Sequence, residues 1–215
     1  MVKPPALPAS APNWPDLCRT HGLDESLIPA VAQYLEHLQH WNRVHNLTAI
    51  TDPEAMVVRH VLDSLSIQSW LRGERILDVG SGAGLPGLIL ALADSTPNRH
   101  YVLLDAAAKR VRFLRQMIAT LALPQVVAQH GRVEAMPAEP GFDTVLARAF
   151  APLESLVDRV GHCVAARGQI LAMLGRLPEP LPRLPAGWVY RDCPALQVSG
   201  LAASRHLAII ERETL

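Results

Sequence analysis

The 215-residue sequence contains few cysteines, only Cys18, Cys163 and Cys193. They are odd in number, far apart and never in C-x-x-C spacing, which excludes a disulfide framework and a cysteine-based zinc site. Reduced thiols of this kind indicate a cytoplasmic protein. The histidines between residues 37 and 45 lack a partnering acidic motif, so we expect them on a helix surface and expect no metal site.

The sequence also lacks a net charge, a membrane-spanning run and an internal repeat. Lys plus Arg and Asp plus Glu are both 20, so total charge does not predict a nucleic-acid partner. No uncharged apolar run approaches the roughly 20 residues that cross a bilayer, and the N-terminus has no secretory signal. Charge is unevenly distributed, however. Residues 1–70 carry net −3, whereas residues 71–133 carry eight basic and four acidic residues, which favours a polyanionic ligand.

Three stretches of different composition follow one another along the chain. Residues 1–15 are rich in proline and alanine and predict a flexible tail. Residues 16–71 have helical spacing of apolar residues and predict an N-terminal helical extension, with Asp24 and Asp52 as helix N-caps. Residues 72–215 alternate short apolar runs with helical stretches, which predicts an α/β, Rossmann-like, mostly parallel sheet with an antiparallel C-terminal addition. The sequence has no long exposed apolar stripe of the kind that would indicate an obligate dimer, so we expect a monomer.

Five short apolar runs are predicted as the parallel strands. They comprise residues 76–78, 101–105, 125–128, 142–149 and 169–174. Helical spacing predicts helices over 106–123 and 152–166, and two further strands follow near residues 189 and 206–210. The first two strands each end in an acidic residue, Asp78 and Asp105.

The most informative stretch is Asp78–Gly87, where four glycines follow the first predicted strand. Gly82 to Gly87 fits G-x-G-x-x-G, which by itself indicates a dinucleotide such as NAD. A carboxylate at Asp78 would repel a pyrophosphate but accept the amino group of S-adenosylmethionine, and Asp105 could accept ribose hydroxyls. Each acid alone is better explained as a turn or strand-end residue. The two together favour S-adenosylmethionine, with a NAD-type oxidoreductase as the alternative.

Ordered motifs along the chain resemble the small-subunit (16S) rRNA guanine-N7 methyltransferase G family, formerly called glucose-inhibited division protein B. The glycine stretch Asp78–Gly87 matches the signature of that family. The other matching motifs are Trp41-Asn42, His45–Ile50, Arg59-His60, Asp63–Leu65, Lys109-Arg110, Phe113-Leu114, Arg132–Glu134, Phe142-Asp143, Arg148–Ala151 and Arg205–Leu207. Their order and spacing agree over nearly the whole chain after the tail.

The resemblance implies a class I methyltransferase fold, S-adenosylmethionine as cofactor, and 16S rRNA or the 30S subunit as partner. The implied reaction is methylation of N7 of guanine 527. The resemblance implies cofactor contacts at Gly80, Leu85, Asp105, Val133, Glu134 and Arg148. The interpretation of the glycine stretch adds Asp78 and Gly82. Two positions depart from the family: Ala106 replaces a serine, and Leu174 replaces a lysine, whose charge Arg176 could supply.

Guanine N7 carries a lone pair and no proton, so its methylation needs positioning and no general base. Arg148 is the candidate for positioning the guanine through its N7 and O6 edge; a structural ion pair with Glu134 or Asp143 is an equal alternative. The candidate RNA-phosphate contacts lie on one predicted helix: Lys109, Arg110, Arg112 and Arg115. A solvated helix face explains them equally well. Because Leu174 replaces a lysine, a non-catalytic RNA-binding assembly factor is a third hypothesis.

Overall fold

The computed structural model of the chain describes residues 12–213. Most of the predicted tail, residues 1–11, lies outside this range. The segment before the sheet is helical, as its apolar spacing predicted. Its elements are α1 (Trp14–Thr20), α2 (Ile28–His45), α3 (Pro53–Met56), a π-helix (Val57–Leu62), α4 (Asp63–Leu65) and a 3-10 helix (Gln68–Trp70). Among the described residues, no helix is long and apolar enough to cross a membrane.

Local sequence explains where two of these helices begin. The Ala55 N–H donates to Asp52 Oδ1 over 2.8 Å, and Pro53 occupies the first helical position, as predicted. The prediction for Asp24 was wrong. Its carboxylate accepts hydrogen bonds from the Ser26 N–H and hydroxyl in a turn, and α2 begins later, at Ile28, without a side-chain cap.

One seven-stranded sheet follows, in the order β3-β2-β1-β4-β5-β7-β6. The strands are β1 (Arg75–Val79), β2 (His100–Asp105), β3 (Val126–His130), β4 (Phe142–Arg148), β5 (Val164–Leu174), β6 (Trp188–Asp192) and β7 (His206–Arg212). Strands β1 to β5 pair in parallel, and β7 runs antiparallel to both of its neighbours. The predicted mostly parallel sheet with an antiparallel C-terminal strand is confirmed.

Three helices connect the parallel strands: α5 (Gly87–Ala93), α6 (Ala108–Thr120) and α7 (Leu153–Val160). Helix α7 ends earlier than predicted, because the chain passes through a 3-10 turn at Gly161–Cys163 into β5. A Cβ at Gly168 would lie 2.6 Å from the Phe142 carbonyl oxygen. Only a glycine fits here, and it lets β5 pack closely against β4. Strand β5 consequently begins earlier than the apolar run that predicted it.

The pleat of the sheet decides which strand-end side chains meet. Successive strand residues face opposite sides. In β1, Ile76 contributes to the core under α2, α5 and α6, whereas Leu77 contributes to the core under α7. Asp78 therefore shares the side of Ile76. By the same alternation, Asp105 and Arg148 lie on that side, which the N-terminal helices also cover.

Candidate functional site

Asp78 lies beneath the glycine turn. Its side chain is only 1% exposed, and Oδ2 accepts hydrogen bonds from the Ser81 hydroxyl and from the Gly87 N–H at 3.0 Å. Burial raises the pKa of Asp78 to about 7, against the lowering effect of these two hydrogen bonds and of Arg148. The carboxyl group thus joins the start of the turn to the first residue of α5.

Most backbone N–H groups of the turn are hydrogen-bonded within the protein. Five of its N–H groups donate to protein oxygens, including both carboxylates, at 2.7–3.0 Å. These donors are Ser81, Gly82, Gly84, Leu85 and Gly87. A dinucleotide pyrophosphate needs free N–H groups at such a turn and at the following helix N-terminus. With the α5 terminus already facing Asp78, the turn does not fit a pyrophosphate, which argues against the NAD alternative.

Asp105 ends β2 beside the turn and is 3% exposed. Its Oδ2 accepts from the Gly82 N–H at 2.9 Å, and its Oδ1 accepts from the Ala107 N–H at 2.8 Å. The Arg110 guanidinium lies 3.4 Å from Oδ2. Each carboxylate oxygen can accept a second hydrogen bond, so the fixed carboxylate keeps acceptor capacity for a ligand hydroxyl.

A cavity of about 230 Å³ opens above the ends of β1, β2 and β3. Of the predicted cofactor residues, four line it: Gly80, Asp105, Val133 and Glu134. Three others shape the turn without lining the cavity: Asp78 and Gly82 through the hydrogen bonds above, and Leu85 by packing against the core. Ala106, which replaces the family serine, is also in the wall.

Phe150 closes one side of this cavity. A Cβ at Gly80, which has φ +66°, would lie 2.8 Å from Phe150 Cδ2, so the ring lies directly against the glycine backbone. The Arg159 guanidinium lies 4.5 Å from the centre of the ring and forms an ion pair with Glu134 at 2.9 Å. Phe150 and Arg159 were missed by sequence reasoning, although Phe150 stands within a matched motif.

A second cavity of about 330 Å³ lies on the other side of Phe150, and Ala149 and Phe150 line both cavities. Its charged residues are Asp63, Arg148 and Arg205. Leu174, which replaces the family lysine, is also in its wall, whereas Arg176 is not. The cation beside Gly175 is Arg205, whose Nη1 would lie 3.9 Å from a Cβ built at that glycine.

Arg148 pairs with neither of the acids that we expected. Glu134 is paired with Arg159, and Asp143 accepts from the backbone of residues 74 and 75. The Arg148 Nη1 lies 3.5 Å from Asp63 Oδ2, and its Nη2 donates to the Arg59 carbonyl at 2.8 Å. Arg205 Nε donates to the other Asp63 oxygen at 2.9 Å. Asp63, 3% exposed, therefore holds two arginines side by side.

The π-helix supplies part of this arrangement. Its wider turn frees backbone carbonyls, and the Arg59 carbonyl accepts from Arg148. His60 is buried in the same segment, with its Nε2 2.9 Å from the Thr48 hydroxyl. Burial and, to a smaller extent, the charge of Arg148 lower the pKa of His60 to about 4. His60 is therefore neutral at physiological pH, which avoids a third positive charge beside Arg148.

The four basic residues on α6 have different surroundings. Lys109 Nζ donates to the His45 carbonyl at the C-terminus of α2 over 2.9 Å, and Arg110 lies beside Asp105. Arg112 and Arg115 are exposed. The first two therefore have structural contacts, and the last two are free to meet solvent or a polyanion.

Solved structures with the same fold are methyltransferases. A SAM-dependent methyltransferase from Aquifex aeolicus aligns with a TM-score of 0.57 at 12% identity, over 77% of this chain and 96% of that one. A methyltransferase from Geobacter sulfurreducens aligns with a TM-score of 0.57 at 17% identity, over 86% and 89% of the two chains. At these identities the likeness shows the fold alone, and it agrees with the predicted class I methyltransferase sheet.

Sequence relatives define the family. Ribosomal RNA small subunit methyltransferase G of Nitrosococcus oceani is 47% identical over 186 residues, 86% of each chain. The Salmonella agona protein of the same name is 42% identical over 182 residues, 84% of this chain and 87% of that one. The family model described as rRNA small subunit methyltransferase G matches residues 27–186. With the glycine turn, the two adjoining cavities and these relatives in agreement, the chain belongs to the rRNA small subunit methyltransferase G family.

Proposed function

We propose that this chain transfers a methyl group from S-adenosylmethionine to N7 of guanine 527 of 16S rRNA. Membership in the family makes it an S-adenosylmethionine-dependent rRNA methyltransferase. The guanine position and atom come from the family resemblance, and the observation that supports transfer to a base is the arrangement of two cavities that share Ala149 and Phe150. One would hold the methyl donor and the other the acceptor base, within reach of each other.

The first cavity fits an adenosyl ligand by its chemistry. Asp105 has fixed oxygens that can accept ribose hydroxyls, and Val133 offers an apolar wall for adenine. Gly80 presents bare backbone to the same space. Because the turn amides are already bonded, a ligand without phosphates suits this cavity better than a dinucleotide.

When bound, S-adenosylmethionine supplies a sulfonium methyl; the N7 lone pair forms the new bond to carbon, and the electrons of the broken C–S bond stay on sulfur. No proton moves in this step, so it requires no general base. The protein's part is to align donor and acceptor and to exclude water. Methylated guanine carries an added positive charge, so the nearby carboxylate of Asp63 would help to balance it.

The proposed partner is 16S rRNA within the 30S subunit or its precursor, met by a monomer in the cytoplasm. Arg112 and Arg115 support this assignment because they are exposed on α6, which begins beside the donor cavity. Lys109 and Arg110 would contribute positive potential from their positions near the cavity rim. Such contacts to phosphate would set position and affinity, not base specificity.

The test uses 30S subunits and 16S rRNA from cells that lack this gene, with methyl-labelled S-adenosylmethionine. Reduction with borohydride followed by aniline cleaves RNA at N7-methylguanine, so the labelled position can be mapped. We expect one cleavage, at guanine 527. Label at another atom or another guanine would contradict the proposal. Binding of S-adenosylhomocysteine without transfer to any RNA form would favour the assembly-factor alternative.

A further inference from the structure

We propose that the cavity of about 330 Å³ binds the acceptor nucleobase in an extruded state and selects guanine by a single hydrogen bond from Arg148 to O6. This inference rests on the proposed function and deepens it. Its evidence is the donor chemistry of the cavity, its apolar walls and its position relative to the donor cavity.

The size and walls of the cavity suit one flat base. Its volume lies at the lower end of the range of roughly 300–1,000 Å³ that holds small ligands. Apolar side chains form most of the lining: Phe150, Leu153, Leu156, Met173 and Leu174. An aromatic ring and aliphatic groups of this kind provide surfaces on which an unstacked base can pack.

The base must leave its stack to reach this cavity. In an A-form helix, N7 lies in the deep, narrow major groove, which side chains cannot enter. The methyl-donor cavity adjoins the acceptor cavity at Ala149 and Phe150, so the base must enter the acceptor cavity to place N7 at that boundary. A single-stranded or extruded guanine could present N7 to the shared wall.

The polar side chains of the cavity are two arginines and the carboxylate that lies between them. Asp63 receives Arg205 on one oxygen and faces Arg148 with the other. The Arg148 Nη1 is buried and, among the described residues, has no hydrogen-bond partner. Nη1 offers no surface to a ligand, so an acceptor oxygen would bind the N–H groups left on Nε or Nη2 of Arg148, which lines the cavity. Guanine O6 is such an acceptor, whereas adenine carries an amino donor at the same place.

The reaction itself limits the contact to O6. An arginine that bound N7 and O6 together, as the sequence suggested, would occupy the lone pair that must attack the methyl group. Arg148 Nη2 donates one N–H to the Arg59 carbonyl and Nη1 faces Asp63, so one of the N–H groups left on Nε and Nη2 makes the single bond to O6. Asp63 acts as a positioning residue, because it fixes both arginines without needing to contact the base.

The experiment compares single-turnover methylation of RNAs that carry guanine, inosine or 2-aminopurine at the target position. Inosine keeps O6 and N7, and 2-aminopurine keeps N7 but lacks O6. With the wild-type protein we expect inosine within about threefold of guanine and 2-aminopurine slower by about 10²-fold, the usual effect of losing one aligned donor contact. Equal rates for guanine and 2-aminopurine would overturn the inference. No transfer to guanine RNA would overturn the proposed function as well.

Three variants locate the effect. Arg148→Met should slow transfer to guanine by about 10²-fold and bring the guanine to 2-aminopurine ratio near one. Asp63→Asn should lower that ratio too, with a larger effect on kcat than on KM. The matched control is Arg167→Met, because Arg167 is exposed at the opposite end of β5. An unchanged ratio in Arg148→Met would contradict the assignment, and the wild-type RNA series needs no variant to fold.

Discussion

The loops after β1 and β4 are adjacent but differently built. The loop after β1 is a glycine turn whose amides and carboxylates bond to one another. Strand β4 ends at Arg148, which has a buried nitrogen without a hydrogen-bond partner among the described residues, and the loop after it begins with Ala149 at φ +50°. A turn whose amides are already bonded keeps its shape before a ligand arrives, although Asp78 Oδ1 beneath it is buried without a hydrogen-bond partner among the described residues. A strained residue next to a charged side chain is typical of a ligand-binding site.

The glycine turn should tolerate added atoms least. A Cβ at Gly87 would lie 2.6 Å from Leu103 Cδ2 and 2.7 Å from Asp78 Oδ2. We expect Gly87→Ala to lower the free energy of unfolding by about 3 kcal/mol, as for overpacked cores. Gly131→Ala is the control, because its Cβ would meet Leu104 at 3.8 Å; its change should stay within about 0.5 kcal/mol. Urea unfolding measures both, and equal losses would contradict the close packing under the turn.

Two buried groups next to these loops, Asp78 and His60, should respond oppositely to pH. The pKa of Asp78 rises from 3.8 to about 7 on folding, so its stabilising contribution is present below pH 3.8 and lost as pH rises through 7. The pKa of His60, beside Arg148, falls from 6.5 to about 4, so its contribution is present above pH 6.5 and lost as pH falls through 4. Between pH 4 and 6.5 the two effects oppose each other.

Replacing one of these two titrating residues should therefore reveal the pH dependence of stability that the other contributes. Relative to wild type, Asp78→Asn should make the slope of unfolding free energy against pH more positive by up to about 1.4 kcal/mol per unit. His60→Gln should make it more negative by a similar amount. Urea titrations at pH 4.5, 5.5 and 6.5 measure the slopes. Two variants with slopes parallel to wild type would show that neither group titrates as its burial requires.

Strain in the second loop should be measurable at Ala149. Its φ of +50° is unfavourable for an alanine and ordinary for glycine. We expect Ala149→Gly to raise the free energy of unfolding by about 0.5–1 kcal/mol, because the native strain outweighs the added chain entropy. Thermal unfolding tests this expectation, with the unstrained Ala151→Gly as comparison. A loss of stability as large as that of Ala151→Gly would contradict it.

The smallest effect should come from α6, outside both cavities. Arg112→Gln and Arg115→Gln remove exposed charges, so each should weaken RNA binding by about threefold and reduce the salt slope by about one. Filter binding at several salt concentrations measures both quantities. Gln116→Ala, an uncharged change on the same helix, serves as control. Unchanged salt slopes would show that these arginines do not contact RNA and only form a solvated helix face.

The sequence predicted the sheet well because buried parallel strands are continuous apolar runs, and Asp78 and Asp105 marked two strand ends. It could not predict the π-helix, since residues 53–65 have the apolar spacing of an ordinary helix. It misplaced the end of α7, because residues 161–166 are compatible with helix until β4 pairs with the strand. Pairing partners distant in sequence decide such boundaries.

The candidate site was predicted by residue type more than by role. A carboxylate at a strand end can face a ligand or turn back toward the next helix, and the sequence could not tell that Asp78 does the second. The partner of Arg148, Asp63, lies in the preceding helical segment, and Arg205 comes from the far end of the chain. Only the fold brings these three side chains together.

The most direct test of the account is whether the cofactor binds in the cavity beside Asp105 and not in the cavity beside Arg148. Calorimetric titration of S-adenosylhomocysteine into wild type, Asp105→Asn and Arg148→Met measures this. We expect Asp105→Asn to raise the Kd by about tenfold, a loss of one ligand hydrogen bond. We expect Arg148→Met to stay within about twofold of wild type, because its side chain lines the acceptor cavity. A loss of affinity in Arg148→Met as large as that in Asp105→Asn would make Arg148 a cofactor residue and contradict the account.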